Sequence, residues 1–417
     1  MSFITNIRSV AKYESKILVR SWFFRIFTLL AVVFLGFFNF AMMLMEDNFG
    51  LWFAKSVSSN IPYLNLLLLN TGQAVVAVFL SSEFLKRDKK LDTSEVFYVR
   101  PLSNAEYVVG KIWGNLRVFL FLNLLVLAIV LAFNFMASGV AVDLPAYLVY
   151  FFLISIPTLI FIIGLSIFLM LLLKNQALTF ILLLGYIGLT LFYIQDKFYY
   201  LFDYMVYNLP LFKSTIVGFS NLELILNHRA IYFFAGLGFI FFTIFLFKRL
   251  PNARRSHYPW LFLSFCMFLL MGTAGFRHVR SILREGEMRA LYTSINNKYV
   301  YEPKMAIDYY DISVEQKSET IRSVVGMEGT ALAASEVFIF CLNPGLRVEE
   351  VKDGEKSLNF KREEQILAVD FGRKIEKGDT ISFSVSYEGR IKDDFCYLDI
   401  PEEVLQQPYD KLSLIHI

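Results

Sequence analysis

Cysteine is nearly absent, with three residues in 417, and histidine numbers four. A framework of disulfides is therefore excluded. The histidines are His228, His278, His416 and His257, and no two stand at the close spacing of a zinc-ligating motif. Charge is also scarce, at 18% of residues, against ~25% in ordinary soluble domains. No Gly-x-x-x-x-Gly-Lys-Ser/Thr phosphate loop occurs, and no His-Glu-x-x-His. ATP binding by a phosphate loop and zinc hydrolysis by that signature are thus not expected of this chain. What is plentiful is apolar surface. Hydrophobic residues make up 56%, phenylalanine alone contributes 44, and mean hydropathy is +0.52. Disorder is excluded by that composition.

The apolar residues are gathered into runs. Seven windows lack Asp, Glu, Lys and Arg altogether: 26–45, 61–82, 118–142, 144–173, 175–195, 230–247 and 258–276. Crossing ~30 Å of hydrocarbon takes ~20 apolar residues in a helix. Six to seven transmembrane helices are expected, the last two windows being the shortest. Residues 1–276 carry 21 basic against 12 acidic side chains, and residues 277–417 carry 19 against 25. A basic membrane part is followed by a mildly acidic, water-facing part.

Orientation follows the distribution of Lys and Arg beside the spans. Residues 1–20, 86–111, Lys174 and 248–255 together hold 15, whereas 46–60, 143–146 and 196–229 hold 4. The first set is expected in the cytoplasm, with the N-terminus, and the chain after Phe276 on the opposite side. A bacterial inner membrane is the expected location. The N-terminus does not read as a cleavable signal, because its apolar run is long and no small-x-small site follows. Arg8, Lys12, Lys16 and Arg20 recur every four residues, a basic stripe on a helix. Residues 1–20 are expected to form an amphipathic helix on the inner leaflet, in contact with membrane lipids; a generic positively charged anchor is the plainer alternative.

Few polar groups lie in the spans. Asn65, Asn70, Thr71 and Gln73 cluster in the second. They could line a substrate path, or bond to neighbouring helices as such residues more often do. Pro157 is expected to kink the fourth span, with Ser155 and Thr158 near the freed carbonyls. Ser103 and Glu106 have capping-box spacing at the start of a helix leading into the third span. Gly110 and Gly114 form a GxxxG at that span's edge, a spacing too common to carry weight alone.

The stretch from Glu83 to Lys111 carries a resemblance. A Glu ends the second span, a charged segment follows, Pro101-Leu102-Ser103 comes next, and Gly110-Lys111 opens the third span. This pattern resembles the first cytoplasmic loop of ABC-2 type transporter permeases, and the likeness covers about residues 1–250. The resemblance implies a membrane-spanning permease subunit of an ATP-driven transporter, usually an exporter. Its ATP would be bound by a separate ABC ATPase chain, and a second permease half would complete it. Glu83, Pro101, Ser103, Gly110 and Lys111 would then belong to the ATPase-coupling surface. A seventh span departs from the family's six.

Beyond Phe276 the pattern changes. Residues 277–304 read as a charged linker, helical and then extended. Segments 307–316, 332–342, 346–351, 365–370 and 380–388 read as strands, with turn signals at Asn343-Pro344-Gly345, Lys352-Asp353-Gly354 and Lys377-Gly378-Asp379. In 380–388, Ile381, Phe383, Val385 and Tyr387 alternate on one face. An all-β, sandwich-like extracytoplasmic domain over 305–417 is expected. Tyr310–Val314 and Val385–Gly389 resemble strands of the β-rich N-terminal domain of aminopeptidase N type zinc peptidases, over about 305–400. That likeness implies an alternative function, the anchor and N-terminal portion of a membrane-tethered zinc peptidase, although this chain is expected to be no enzyme and to hold no metal or other cofactor. A membrane scaffold without transport is a third reading. Cys341 and Cys396, both expected outside, could form a disulfide or stay as separate packed thiols. The pattern at 412–417 breaks off within an apolar run, as in a fragment that stops short of a further domain.

Overall fold

A computed structural model describes residues 3–44, 57–82, 102–136, 141–194, 197–209, 211, 213, 218–219, 221–247, 258–317, 319–392 and 395. The chain divides into two compact units, residues 1–215 with 219–279, and residues 216–218 with 280–417.

The first unit is helical: α1 (Phe3–Arg20), α2 (Trp22–Leu44), α3 (Asn60–Ser82), α4 (Asn104–Met136), α5 (Leu144–Tyr150), α6 (Ile156–Leu173), α7 (Gln176–Leu189), α8 (Leu222–Leu246) and the part of α9 (Tyr258–Lys298) up to Val279. Among the described residues seven stretches are long and apolar enough to cross a membrane: α2, α3, α4, α5 with α6, α7, α8 and α9. The chain is accordingly a polytopic α-helical membrane protein in its first part. Within the most apolar windows, 67% of α3 is buried, but only 17% of α2 and 11% of α9. Helices α3, α4, α6 and α8 therefore form the packed centre, and α2 presents Leu29, Leu30, Val33, Phe34 and Phe37 outward.

Several helix ends depart from the apolar windows. α4 begins at Asn104, well before residue 118, and carries Glu106, Lys111 and Arg117 into the packed structure. α8 begins at Leu222 and takes in His228 and Arg229, which charge counting assigns to a loop. Each of these polar groups is accommodated by a partner described below. Between α6 and α7 the turn is made by two residues. Lys174 closes α6 in the left-handed region, at φ 53°, and Asn175 caps α7 by accepting from the Leu178 N–H at 3.2 Å.

α9 runs 41 residues, from Tyr258 to Lys298, about 60 Å at 1.5 Å per residue. Its apolar window ends at Phe276, and the charged stretch expected to be a linker continues the helix.

The second unit contains two antiparallel sheets. One has the order β1-β2-β8-β4-β5 and the other β3-β7-β6. The strands are β1 (Met305–Lys317), β2 (Thr320–Ala331), β3 (Ser335–Cys341), β4 (Leu346–Asp353), β5 (Lys356–Ser357), β6 (Asn359–Glu363), β7 (Ile366–Ile375) and β8 (Thr380–Gly389). Alternation in β8 sends Ile381, Phe383 and Val385 into the core, where they join Phe338, Val351, Val369 and Phe371. Phe383 meets Phe371 edge-on at 5.5 Å. β2, β5 and β6 are absent from the strands read by pattern. β2 escaped because Gly326 and Gly329 interrupt its alternation. Gly329 is where β1 crosses closely, since a Cβ there would sit 2.8 Å from Ile307 Cδ1.

Candidate functional site

Three polar constructions lie within the helical unit. The first joins α1 to α4. Ala11, Glu14, Ser15 and Leu18 recur on one face of α1 and are its buried residues. They lie on the stripe opened by Gly110 and Gly114. A Cβ at Gly110 would meet Val10 Cβ at 2.7 Å, and one at Gly114 would meet the Ala11 carbonyl oxygen at 2.9 Å. The GxxxG is therefore a seat for the N-terminal helix, close enough for side chains of each helix to reach the other's backbone. The Ser15 hydroxyl donates to the Gly114 carbonyl at 2.7 Å, and the Arg117 guanidinium donates to the Ala11 carbonyl at 2.9 Å. Lys111 reaches Glu14 at 3.7 Å, both side chains being buried. The four residues of the basic stripe, Arg8, Lys12, Lys16 and Arg20, stay exposed.

At the head of α4 the capping box forms. The Glu106 N–H donates to Ser103 Oγ at 3.1 Å, and the Ser103 N–H donates to Glu106 Oε2 at 2.6 Å. Asn6 of α1 donates to the other Glu106 oxygen at 2.8 Å. Ser103, Gly110 and Lys111 are thus brought together at one α1–α4 surface. Glu83 and Pro101 lie outside the described residues.

The second construction is a network of amides in the packed centre. Asn123 of α4 donates to Gln73 Oε1 at 2.8 Å, and Asn70 donates to Asn123 Oδ1 and Ser155 Oγ, both at 3.2 Å. Asn65 exchanges bonds with Asn39 of α2 at 2.7 and 3.1 Å. Asn65, Asn70 and Gln73 are fully buried. Each uses its polar atoms to tie α3 to a neighbouring helix.

The third construction was not visible in the pattern of charges. A π-helical turn, Phe151–Ser155, precedes Pro157 in the fourth span. Proline has no N–H for the carbonyl four residues back, that of Leu153. Arg229 takes it, donating from Nε to the Leu153 oxygen at 2.7 Å. Its other nitrogens reach the Ile154 carbonyl at 3.4 Å, Thr158 Oγ1 at 2.9 Å and the Tyr204 carbonyl at 2.9 Å. The guanidinium thus joins the π turn of the fourth span, α8 and the segment after α7. In that segment Tyr204, Met205, Val206, Leu209 and Leu211 are buried. Asp203 accepts the N–H groups of Tyr207 at 2.8 Å and Asn208 at 2.9 Å. Burial pushes the Asp203 carboxyl up from its ordinary value, against the downward pull of those N–H groups and of Arg229.

The same segment opens with Phe198, Tyr199 and Tyr200, all in the left-handed region at φ 53°, 59° and 62°. Such backbone persists where its surroundings hold it. His278 Nε2 lies 2.8 Å from the Tyr199 carbonyl, His228 Nε2 lies 3.0 Å from the Tyr200 carbonyl, and the Tyr232 hydroxyl donates to the Leu201 carbonyl. The two imidazoles stand 5.1 Å apart between ring centres. Spacing in the sequence concealed this pair, because 50 residues separate them.

In the second unit Cys341 is a free thiol on β3, pushed up from its ordinary pKa by partial burial. Cys396 lies outside the described residues, as do residues 401–417. Among the described residues no group of three or more His, Cys, Asp or Glu is arranged to hold a metal ion.

No protein-family model matches the chain, and no curated protein matches it. Among solved structures there is similarity to a mutant of an M1 zinc metallopeptidase from Deinococcus radiodurans bound to a Tyr-Ser-Ala substrate. The identity is 17%, the TM-score is 0.20, and 21% of each chain is covered. The chain thus spans about a fifth of that structure's length, and overlap of this extent assigns it neither a fold nor an activity.

Proposed function

We propose that this chain is the membrane-spanning permease subunit of an ATP-driven transporter of the ABC-2 type, an exporter. It works with a separate ATPase chain and a second permease half. The observation that carries the reading is the α1–α4 seat. A basic N-terminal helix is fixed to the entry of the third span through Gly110, Gly114, Lys111 and the Ser103–Glu106 capping box. Ser103, Gly110 and Lys111 are among the residues through which the sequence resembles that family. A helix held in this way gives a soluble partner a stiff surface to push against, and Arg8, Lys12, Lys16 and Arg20 remain exposed to meet anionic groups. In this reading the N-terminus is cytoplasmic, the protein sits in a bacterial inner membrane, and the β unit is extracytoplasmic.

The deciding experiment is co-purification from native membranes followed by hydrolysis assays. An ABC ATPase should be recovered with the chain, and its ATP hydrolysis should change when the chain is present in lipid. Recovery of no ATPase, with the chain intact and monodisperse, would refute the proposal.

A further inference from the structure

The two sheets of the β unit do not cover one another completely. The inner face of the five-stranded sheet can be followed along two rows of paired residues, Ile312–Val325–Val385 and Tyr310–Met327–Phe383, which run from β1 through β2 to β8. Val385 and Val325 are 3% and 5% exposed, but Ile312 is 57% exposed. The β3-β7-β6 sheet therefore roofs β8 and β2 and stops short of β1. Tyr310, Ile312 and Val314 lie on the core side of β1 and are exposed, although apolar residues on that side of a sheet ordinarily meet a second layer. The space between the sheets is a cleft of about 600 Å³, within the range of small-molecule sites. Ile339, Phe340 and Leu367 line its opposite wall, with the Phe340 ring 5.1 Å from that of Phe383, and the last turn of α9 contributes Asn296 and Tyr299.

The charges around the cleft select its occupant. Residues 277–417 carry an acidic surplus, 25 against 19 basic. Even so, no Asp or Glu is among the described residues that line the cleft, and Lys304 is. The Lys304 ammonium donates to the Val300 carbonyl at 2.9 Å, and among the described residues no carboxylate pairs with it. A neutral carbonyl orients that charge without cancelling it. Burial pushes the Cys341 thiol, also in the lining, up from its ordinary pKa, and Lys304 and then Arg362 pull it back; the field on this wall is positive. A peptide laid over the floor would bring N–H and C=O groups that Ile, Val, Leu and Phe side chains cannot pair, and unpaired buried amides are costly. A hydrocarbon chain brings none, and one terminal anion answers one cation.

We propose that this cleft is a binding site for a long-chain fatty acid, with the hydrocarbon chain over Tyr310 and Ile312 and the carboxylate at Lys304. This inference is independent of the transport reading. The reporter is Cys341, made the sole thiol of the full chain by replacing Cys266 and Cys396 with serine, in nanodiscs of phosphatidylcholine. The probe is palmitate, with hexadecanol as the same chain without the charge. Rates of reaction with a water-soluble maleimide are read as ratios with and without the probe, which cancels any change in the thiol's own reactivity. Saturating palmitate should slow Cys341 roughly tenfold, and hexadecanol should need roughly tenfold more for the same protection, as expected for one charged hydrogen bond. Lys304→Glu should raise the half-protecting palmitate concentration by roughly tenfold or more, and Lys304→Arg should keep it near the wild-type value. Ile312→Asp, at an exposed position, should abolish protection. The proposal is overturned if palmitate leaves the wild-type rate unchanged, if hexadecanol protects equally well, or if Lys304→Glu leaves the midpoint where it was. It is also overturned if Cys341 becomes reactive only after residues 396–417 are deleted, which would make the chain's own segment the occupant. Should Ile312→Asp fail to assemble, the wild-type titration and Lys304→Glu still decide.

Discussion

Substituting Gly114 tests the seat of α1 most directly. A Cβ there would lie 2.8 Å from Glu14 Cβ, 2.9 Å from the Ala11 carbonyl oxygen and 3.2 Å from Ala11 Cα. Ordinary contacts between carbon atoms are ~3.5–4.0 Å, so the helices must part by several tenths of an ångström. Two of the three obstructing atoms belong to the α1 backbone and cannot rotate away. Overpacking of this kind costs ~1–3 kcal/mol. The Ser15–Gly114 bond of 2.7 Å also stretches, for which ~0.5–1.5 kcal/mol is usual. Gly114→Ala should therefore weaken docking of α1 by about 2 kcal/mol, or roughly 30-fold at tenfold per 1.4 kcal/mol. The reporter is a single cysteine at Leu18, which is 4% exposed, in a chain whose own cysteines are replaced by serine. Its reaction with a membrane-permeant maleimide should accelerate roughly 30-fold in Gly114→Ala. Gly110→Ala should act in the same direction, since Val10 Cβ lies 2.7 Å and the Ile7 carbonyl oxygen 3.1 Å from the place the new Cβ would take. An unchanged rate in Gly114→Ala, or equal rates in every background, would refute the close-packed seat.

Arg229→Met should lower thermal stability in detergent by ~3–5 kcal/mol, because it strips a buried cation from the Leu153 and Tyr204 carbonyls and leaves Asp203 without it; Arg229→Lys should recover only part, one ammonium being unable to span those acceptors. A melting curve followed by intrinsic fluorescence measures both. Gly236→Ala should prevent α6 and α8 from meeting, since its Cβ would fall 2.6 Å from the Ile160 carbonyl oxygen, and the loss should appear as aggregation on size exclusion. In the β unit, the Tyr299 hydroxyl and the Lys298 ammonium hold the Glu363 carboxyl below its ordinary pKa. The stability this gives is present above the ordinary value and is lost as pH falls through the lowered one. Glu363→Gln should therefore be the less stable form at neutral pH, and denaturation curves of the two should converge in acid. Single cysteines at Ser335 and Asn48 should react with an impermeant thiol reagent in intact spheroplasts, and one at Asp92 should react only after lysis.

Much of this architecture could be read from residue patterns because hydrocarbon imposes a simple rule on helix length and polarity. The seven apolar windows correspond to seven helices, and Pro157 lies where the fourth span is broken. Strict alternation in 380–388 gave β8, whereas β2 was hidden by two glycines. The polar contacts were far less legible. Ser103 and Glu106 are three residues apart, so their mutual bonds follow from local geometry. Gly110 and Gly114 have the same kind of spacing, but their meaning depends on α1, about 100 residues away in the chain. Arg229 reads as a loop cation because a charge ends an apolar window. Its tolerance inside α8 comes from the carbonyl that Pro157 leaves free, and no local signal links those two positions. The histidine pair is hidden for the same reason, each ring being isolated in its own stretch of sequence.

The contacts of Arg229 also restrict how this membrane unit can move. Advancing α8 by one residue would shift it 1.5 Å and turn it by about 100°. That step would withdraw the guanidinium from Leu153, Thr158 and Tyr204 together, at a place buried from solvent. The fourth span, α8 and the segment around Tyr204 are thus geared as one piece. The Gly164–Gly236 crossing meshes the same two helices backbone to backbone. Sliding or tilting is left to the loosely held members of the unit. α2 and α7 bury 17% and 22% of their apolar windows, and they can ride against lipid at little expense. Any sliding within this unit would therefore fall to its outer helices, while Arg229 keeps the fourth span, α8 and the segment after α7 in register.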